Sequence, residues 1–327
     1  MLGKVSPDDL AAHVFENTGI DSPAVLQGPA YGEDAAAIDL PGGTLVVSSD
    51  PISLAVDRVG TLGVPIACND VAASGADPAW LTSVVFLPGE EDSDALETIT
   101  EQMQDAAESI GVSIVGGHSE YNDSLDRPLL SLTCMGMTDR FVPSGGASPG
   151  DRVVLANAAG IEGTAILASD FSAELLESGV EEAVLERARE FYDEIAVIEE
   201  AKAVREYATA MHDPTEGGLI DGLLELGSAS DVSLRIGADE IPIRSETATV
   251  CEALSIDPLK IFGSGALLAT VGADDLDAAL DALGAVASEV AVIGTVQESG
   301  EPSVDLGERE YSTPIRDDLY RMWEERA

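Results

Sequence analysis

Two domains of mixed α and β structure are what this sequence predicts, and three observations carry the prediction. The chain has 327 residues, 45% of them hydrophobic, which is enough for two domains with cores of their own. Apolar runs of strand length alternate with longer helical patterns through both halves. The Gly-, Pro- and Ser-rich stretch at 144–151 (SGGASPGD) interrupts that alternation, and a new apolar run starts directly after it. The expected domains are therefore 1–147 and 148–327.

Ser6, Pro7, Asp8 and Asp9 stand ahead of Leu10, Ala11, Val14 and Phe15. That order supplies an N-cap, a first-turn proline and first-turn acids before an apolar face, so a helix is expected from residue 7 to near Gly19. TLVVSS at 44–49 reads as a buried strand running into Asp50, and 64–74 as a helix of small apolar residues stopped by Gly75. A strand at 81–87, a capped amphipathic helix at Ser93–Ile110, and strands at 112–115 and 129–137 complete the first half. The second half opens with a strand at Arg152–Ala156 and a helix at 163–169. A long acidic helical stretch is expected at 172–211 and a helix at 215–226. Strands follow at 232–236, 266–271 and 290–296, with an Asp/Ala-rich helix at 274–287. No short-period repeat is present, which excludes a solenoid.

Sixteen Lys and Arg face 61 Asp and Glu, a formal net charge of −45 spread along the whole chain. Only Lys4, Lys202 and Lys260 are lysines. Such a surface suits a salt-adapted organism: its charges repel over a Debye length of roughly 30 Å at 0.01 M salt and about 3 Å at 1 M. Nucleic-acid binding is not expected, because counterion release needs clustered basic residues. No apolar stretch approaches membrane-spanning length and MLGKVSPDDLAAHVF lacks the signal-peptide pattern, so a cytoplasmic protein is expected. Cys68, Cys134 and Cys251 are odd in number and far apart, and read as reduced, buried small side chains.

None of the three lysines sits in a GxxxxGK[ST] frame, so P-loop chemistry is excluded. Gly263-Ser264-Gly265 lacks a small residue at Leu268 and precedes a strand, which fails the dinucleotide-binding geometry. GxSxG and HExxH are missing, and His13, His118 and His212 are too scattered for a zinc site. What remains is a set of acids beside glycines where strands end. Gly32-Glu33-Asp34 forms a tight turn, Asp50 ends a buried strand, and Asn69-Asp70 lies in a small-residue helix. Gly116-Gly117-His118-Ser119-Glu120 follows a strand, and Asp213-Pro214-Thr215-Glu216-Gly217-Gly218 opens a helix. A protein this poor in lysine must receive a nucleotide triphosphate through divalent cations, and Mg²⁺ prefers carboxylate oxygens. Glycines let backbone approach phosphate, and a helix starting at Thr215 would aim free N–H groups at an anion. A single acid in so acidic a chain is most often a solvated surface charge. Asp70 differs, because it stands among Ile66, Ala67, Val71, Ala72 and Ala73, where a carboxylate needs a partner or a metal.

In order along the chain, GEDAAAID, SSD, VGTLGVPIACNDVAASGADPAWL, VGGHSE, DPTEGGL and FGSGALLA resemble the successive motifs of the aminoimidazole ribonucleotide synthetase (PurM-like) superfamily. NDVAASGADP and DPTEGGL lean towards its hydrogenase maturation factor HypE branch. The resemblance implies a two-domain PurM-like fold whose N-terminal sheet pairs into a barrel across a homodimer, with ATP and Mg²⁺ near that interface. It implies Asp34, Asp50, Asp70 and Asp213 as Mg²⁺–phosphate ligands, with Asp70 and Asp213 at the catalytic centre. Asn69 would position the nucleotide, Gly116 and Gly117 would turn beside the phosphates, and His118, Thr215 and Glu216 would complete the cofactor site.

Two departures stand out. His118 occupies a position where many members carry an acid, and imidazole is a poor Mg²⁺ ligand. The sequence ends RMWEERA, without the cysteine-bearing tail on which HypE converts a carboxamide to a nitrile, so that conversion is not expected. The expected function is an ATP- and Mg²⁺-dependent enzyme that phosphorylates an amide, carbonyl or phosphate oxygen of a small molecule, with room for a protein partner. A nucleotide-binding regulatory or assembly protein of the same fold, and a thiamine-monophosphate kinase-like enzyme, stay open beside it.

Overall fold

The computed structural model describes residues 3–53, 58–89, 93–298 and 300–326, and the described strands form two sheets. The first contains β1 (Val25–Gln27), β2 (Ala36–Leu40), β3 (Gly43–Ile52), β4 (Asp77–Leu87), β5 (Ser113–Tyr121) and β6 (Leu129–Thr138), in the order β1-β2-β3-β6-β4-β5. The second contains β7 (Arg152–Ala156), β8 (Ala208–His212), β9 (Ser233–Ile236), β10 (Leu267–Val271), β11 (Val290–Gln297), β12 (Val304–Asp305) and β13 (Glu310–Tyr311). Its order is β13-β12-β9-β11-β7-β10-β8. Pairings β4–β5 and β9–β12 are parallel and the others antiparallel, so the architecture is α+β with mixed sheets.

The expected barrel is not found. The first sheet is open, with β1 and β5 as its two edges. Closure would need these edges to meet, and β1 has only three residues, with a register break between Val25 and Gln27, against nine in β5.

Side chains alternate across β3, β4 and β6 as a period of two requires. Val46, Leu81, Val85, Leu130, Leu132 and Cys134 point to a core shared with the helices Val59–Ala73 and Ser93–Ile110. The opposite face, with Val47, Val84 and Met135, is half-buried, and Trp80 is exposed. The helix Val59–Ala73 is buried nearly all round, which its small residues permit. A Cβ on Gly60 would lie 2.5 Å from Ile99 O, so only glycine lets the Ser93–Ile110 helix pack this closely.

Several boundaries differ from expectation. The first helix is a short α-helix, Pro7–Leu10, capped by Ser6 and continued as one π-type turn, Ala11–Phe15. The stretch 172–211 is not one helix. It divides into Ser172–Glu177, Glu182–Arg189, a 3-10 turn and Ile198–Val204, broken first at Gly179 (φ +92°), and ends in β8. Helical propensity in the acidic stretch yields to the pairing of Ala208–His212 with β10. Strands β1, β2, β12 and β13 and the helices Ser245–Leu254 and Asp318–Arg326 have no counterpart in the sequence reading. Among the described residues no helix is long and apolar enough to cross a membrane.

Candidate functional site

Asp50 lies within β3 rather than at its end, on the face that meets the helix Val59–Ala73. Ser48, two residues earlier, shares that face. Its hydroxyl stands 3.0 Å from Asp50 Oδ2 and also donates to Asp70 Oδ2 from the facing helix, so one serine links two carboxylates. Asp213 follows β8 directly. It is 1% exposed, and among the described residues its carboxylate oxygens meet no donor other than the neighbouring Asp70 carboxyl. Burial, with Asp50, Asp213 and Asp34 around it, pushes the Asp70 carboxyl well above the usual range. Burial likewise raises Asp213, with Asp34 and Asp50 adding to the rise and His212 opposing it. Tertiary structure thus brings Asp34, Asp50, Asp70 and Asp213 into one electrostatic cluster.

Asp34 is held from the other side. The turn at Gly32 (φ +83°) lies so close to the helix Gly218–Ala229 that a Cβ there would meet Glu225 O at 2.3 Å, which only glycine tolerates. The next residue, Glu33, accepts the backbone N–H groups of Ser144 and Gly145 at 3.2 and 3.0 Å. Asp34 Oδ2 then sits 2.7 Å from Nδ1 of His212, whose Nε2 is 3.2 Å from Glu225 Oε2. His212 is 1% exposed. Burial works against its charge, but Asp34 and Glu225 outweigh burial and hold the imidazole pKa well above its ordinary value. Glu225 also takes Lys4 Nζ at 2.8 Å. Burial would raise Glu225, yet Lys4 and His212 bring it down to about 2.

Two cavities meet at this cluster. One, of about 640 Å³, is lined by Asp34, Asp50, Asp70, Thr215, Glu216 and Lys4 among others. The second, of about 590 Å³, shares Lys4, Asp50, Thr215 and Glu216 and runs on beneath Phe262 and Tyr320.

The other expected site residues are placed differently. Asn69 is fully buried, and its amide ties the helix to the chain at 195–197, donating to Ile195 O and accepting from Val197 N, both at 2.9 Å. Gly116, Gly117 and His118 lie inside the edge strand β5 rather than in a turn after it. In register, Asp50 pairs with Leu132, Leu132 with Ser83, and Ser83 with Gly117, which sets Gly117 three strands from Asp50, about 14 Å away. Gly117 answers to packing: a Cβ there would lie 2.0 Å from Ser83 O. His118 is exposed and pairs with Glu120 at 3.1 Å. The helix expected at Thr215 starts at Gly218, after left-handed Gly217, and the N–H of Gly217 is taken by Asp317 at 3.0 Å.

Among the described residues no three acid, histidine or cysteine side chains converge tightly enough to hold a metal ion by themselves. Mg²⁺ keeps water and takes one or two protein carboxylates together with phosphate oxygens. The oxygens of Asp213 are the donors that suit it. Sequence reasoning missed Ser48, His212, Glu225, Lys4 and Glu162. His212 adjoining Asp213 was the available signal for one of them. Lys4 and Glu225 carry none, since 221 positions separate them.

A family model described as AIR synthase related protein, N-terminal domain, matches residues 32–138, and one for the C-terminal domain of the same proteins matches residues 148–307. Carbamoyl dehydratase HypE of Rhizobium leguminosarum bv. viciae is 30% identical over 276 residues, 81% of this chain and 77% of its own length. Among solved structures, a HypE–HypF complex superposes with a TM-score of 0.74 at 22% identity, covering 94% of this chain and 99% of the matched one. The hydrogenase maturation protein HypE in complex with ATP gives 0.69 at 24% identity, covering 97% of each chain. These two likenesses speak for the fold.

Proposed function

Because the chain belongs to the AIR synthase related family, we propose that it is an enzyme that uses ATP and Mg²⁺ to phosphorylate an amide, carbonyl or phosphate oxygen of a small molecule. The observation that carries this reading is Asp213, buried among Asp34, Asp50 and Asp70 with no donor on its oxygens other than the Asp70 carboxyl. Buried carboxylates so arranged are costly until a cation joins them. Mg²⁺, when bound, supplies charge neutralisation for the phosphates, the main requirement of phosphoryl transfer. Its one or two protein carboxylates would come from the set Asp34, Asp50, Asp70 and Asp213. Ser48 orients Asp50 and Asp70, while His212, braced by Glu225, fixes the Asp34 carboxylate. Thr215 and Glu216 line both cavities, which supports a role for them in contact with nucleotide or acceptor.

The likeness to HypE, crystallised with HypF, supports a protein partner as well. The half-buried outer face of the first sheet, with Trp80 exposed, supports self-association.

Calorimetric titration with Mg²⁺ and a non-hydrolysable ATP analogue tests the central claim. Wild-type protein should bind the analogue only with Mg²⁺, and Asp70→Asn should lose at least about tenfold in affinity, roughly 1.4 kcal/mol, while keeping its circular dichroism spectrum. Undiminished affinity in Asp70→Asn would reject the assignment.

A further inference from the structure

The second cavity contains two buried polar atoms that nothing in the acid cluster uses. Glu162 opens the helix Ile161–Asp170, is 4% exposed, and its Oε2 has no hydrogen-bond partner among the described residues. Ser264, in the loop before β10, is wholly buried, and its hydroxyl stands beside the Glu162 carboxyl as a donor to it. The Glu162 N–H donates to Ser264 O at 3.2 Å, so the two residues are fixed side by side, and both line the cavity. Ile66, Ile166, Phe262 and Tyr320 supply apolar and aromatic walls. The cation lining this space, Lys4, is engaged by Glu225, and Glu216 and Asp50 share the lining.

A buried carboxylate oxygen with no partner, a serine hydroxyl beside it, apolar walls and a negative field select one chemistry. An anion is repelled, and a neutral hydrocarbon leaves the Glu162 oxygen unpaired at a cost of about 1–3 kcal/mol. A flat nitrogen cation with several N–H donors satisfies these features.

We propose that this cavity is the acceptor site, and that Glu162 and Ser264 bind the amidine- or guanidine-type head of a small, flat, largely apolar molecule. The acceptor role rests on the phosphoryl-transfer reading above; the binding role does not. Burial, only partly offset by Ser264, raises the Glu162 carboxyl to about 7, and an arriving cation would favour its ionised form.

Benzamidine is a suitable probe. Trp323 packs 6.2 Å from both Phe262 and Tyr320, centroid to centroid, so its fluorescence reports on the cavity wall. Titrated without nucleotide, wild-type protein should bind benzamidine saturably. Glu162→Gln should weaken it at least about tenfold and Ser264→Ala about threefold, with Mg·ADP affinity unchanged in both. Ser264→Ala removes only a hydroxyl and keeps the test open if Glu162→Gln misfolds. Absent or Glu162-independent benzamidine binding overturns the proposal. A parallel loss of Mg·ADP affinity also overturns it, by assigning the cavity to the nucleotide. If benzamidine binding depends on Glu162 but wild-type protein binds no Mg·ATP, the binding assignment stands and the acceptor role falls.

Discussion

Replacing His212 with Gln removes the one buried positive charge between Asp34 and Glu225 while keeping a side chain that donates a hydrogen bond. The imidazole nitrogens stand 2.7 and 3.2 Å from the two carboxylates, and His212 is 1% exposed. Breaking a buried ion pair from one side costs about 3–5 kcal/mol, because the remaining charge is left uncompensated. Here Glu225 retains Lys4 at 2.8 Å, so Asp34 alone is orphaned, and it is partly open to the cleft. The expected loss is therefore near the lower end, about 3 kcal/mol, or on the order of 5–10 °C in Tm. The sign with pH is fixed by the direction of the shift. A histidine whose folded pKa is raised contributes stability that is complete below its unfolded value of about 6.5 and is lost as pH rises through the folded value. Denaturant unfolding in EDTA should show the full gap between wild type and His212→Gln at pH 6 and a shrinking gap at increasingly alkaline pH. A gap below about 0.5 kcal/mol, or one independent of pH, would refute the charged-histidine account.

Asp213→Asn should change stability in the opposite direction to His212→Gln, raising it. Its folded pKa is raised by burial and by Asp34 and Asp50, so wild-type stability without metal is complete below an unfolded value of about 3.9 and declines as pH rises through the folded one. At pH 8 in EDTA the variant should melt higher, by on the order of 1 kcal/mol, and should lose the added stability that Mg·ATP confers on wild type; scanning calorimetry with and without Mg·ATP reads both. The net charge of −45 predicts a separate effect: Tm should rise between 0.01 M and 1 M KCl as self-repulsion is screened, and a flat profile would sink the salt-adaptation reading.

Much of the chemistry was legible because it is local. Asp70 among small apolar residues announces a buried carboxylate, since an acid in a stripe that can only face a core must meet a partner. The helix Ser93–Ile110 and the strand Arg152–Ala156 follow from periodicity alone. Asn69 shows the limit of such reading. The family resemblance implied that it positions the nucleotide; one residue along a helix turns its side chain by about 100° from Asp70, and its amide bonds the backbone at 195–197.

Gly116-Gly117-His118 shows another limit. Paired glycines after an apolar run look like a turn, yet a strand tolerates them where a neighbour approaches as closely as Ser83 O does. By itself the sequence determined the acidity, the absence of a P-loop, and the four aspartates as an ordered set. Their convergence was decided only by tertiary structure, as were the open first sheet, the Lys4–Glu225–His212–Asp34 chain and the Glu162–Ser264 cavity. The physical reason is reach. Propensity and periodicity act over a few residues, whereas burial and Coulomb interactions join positions such as Lys4 and Glu225 that share no pattern until the chain is folded.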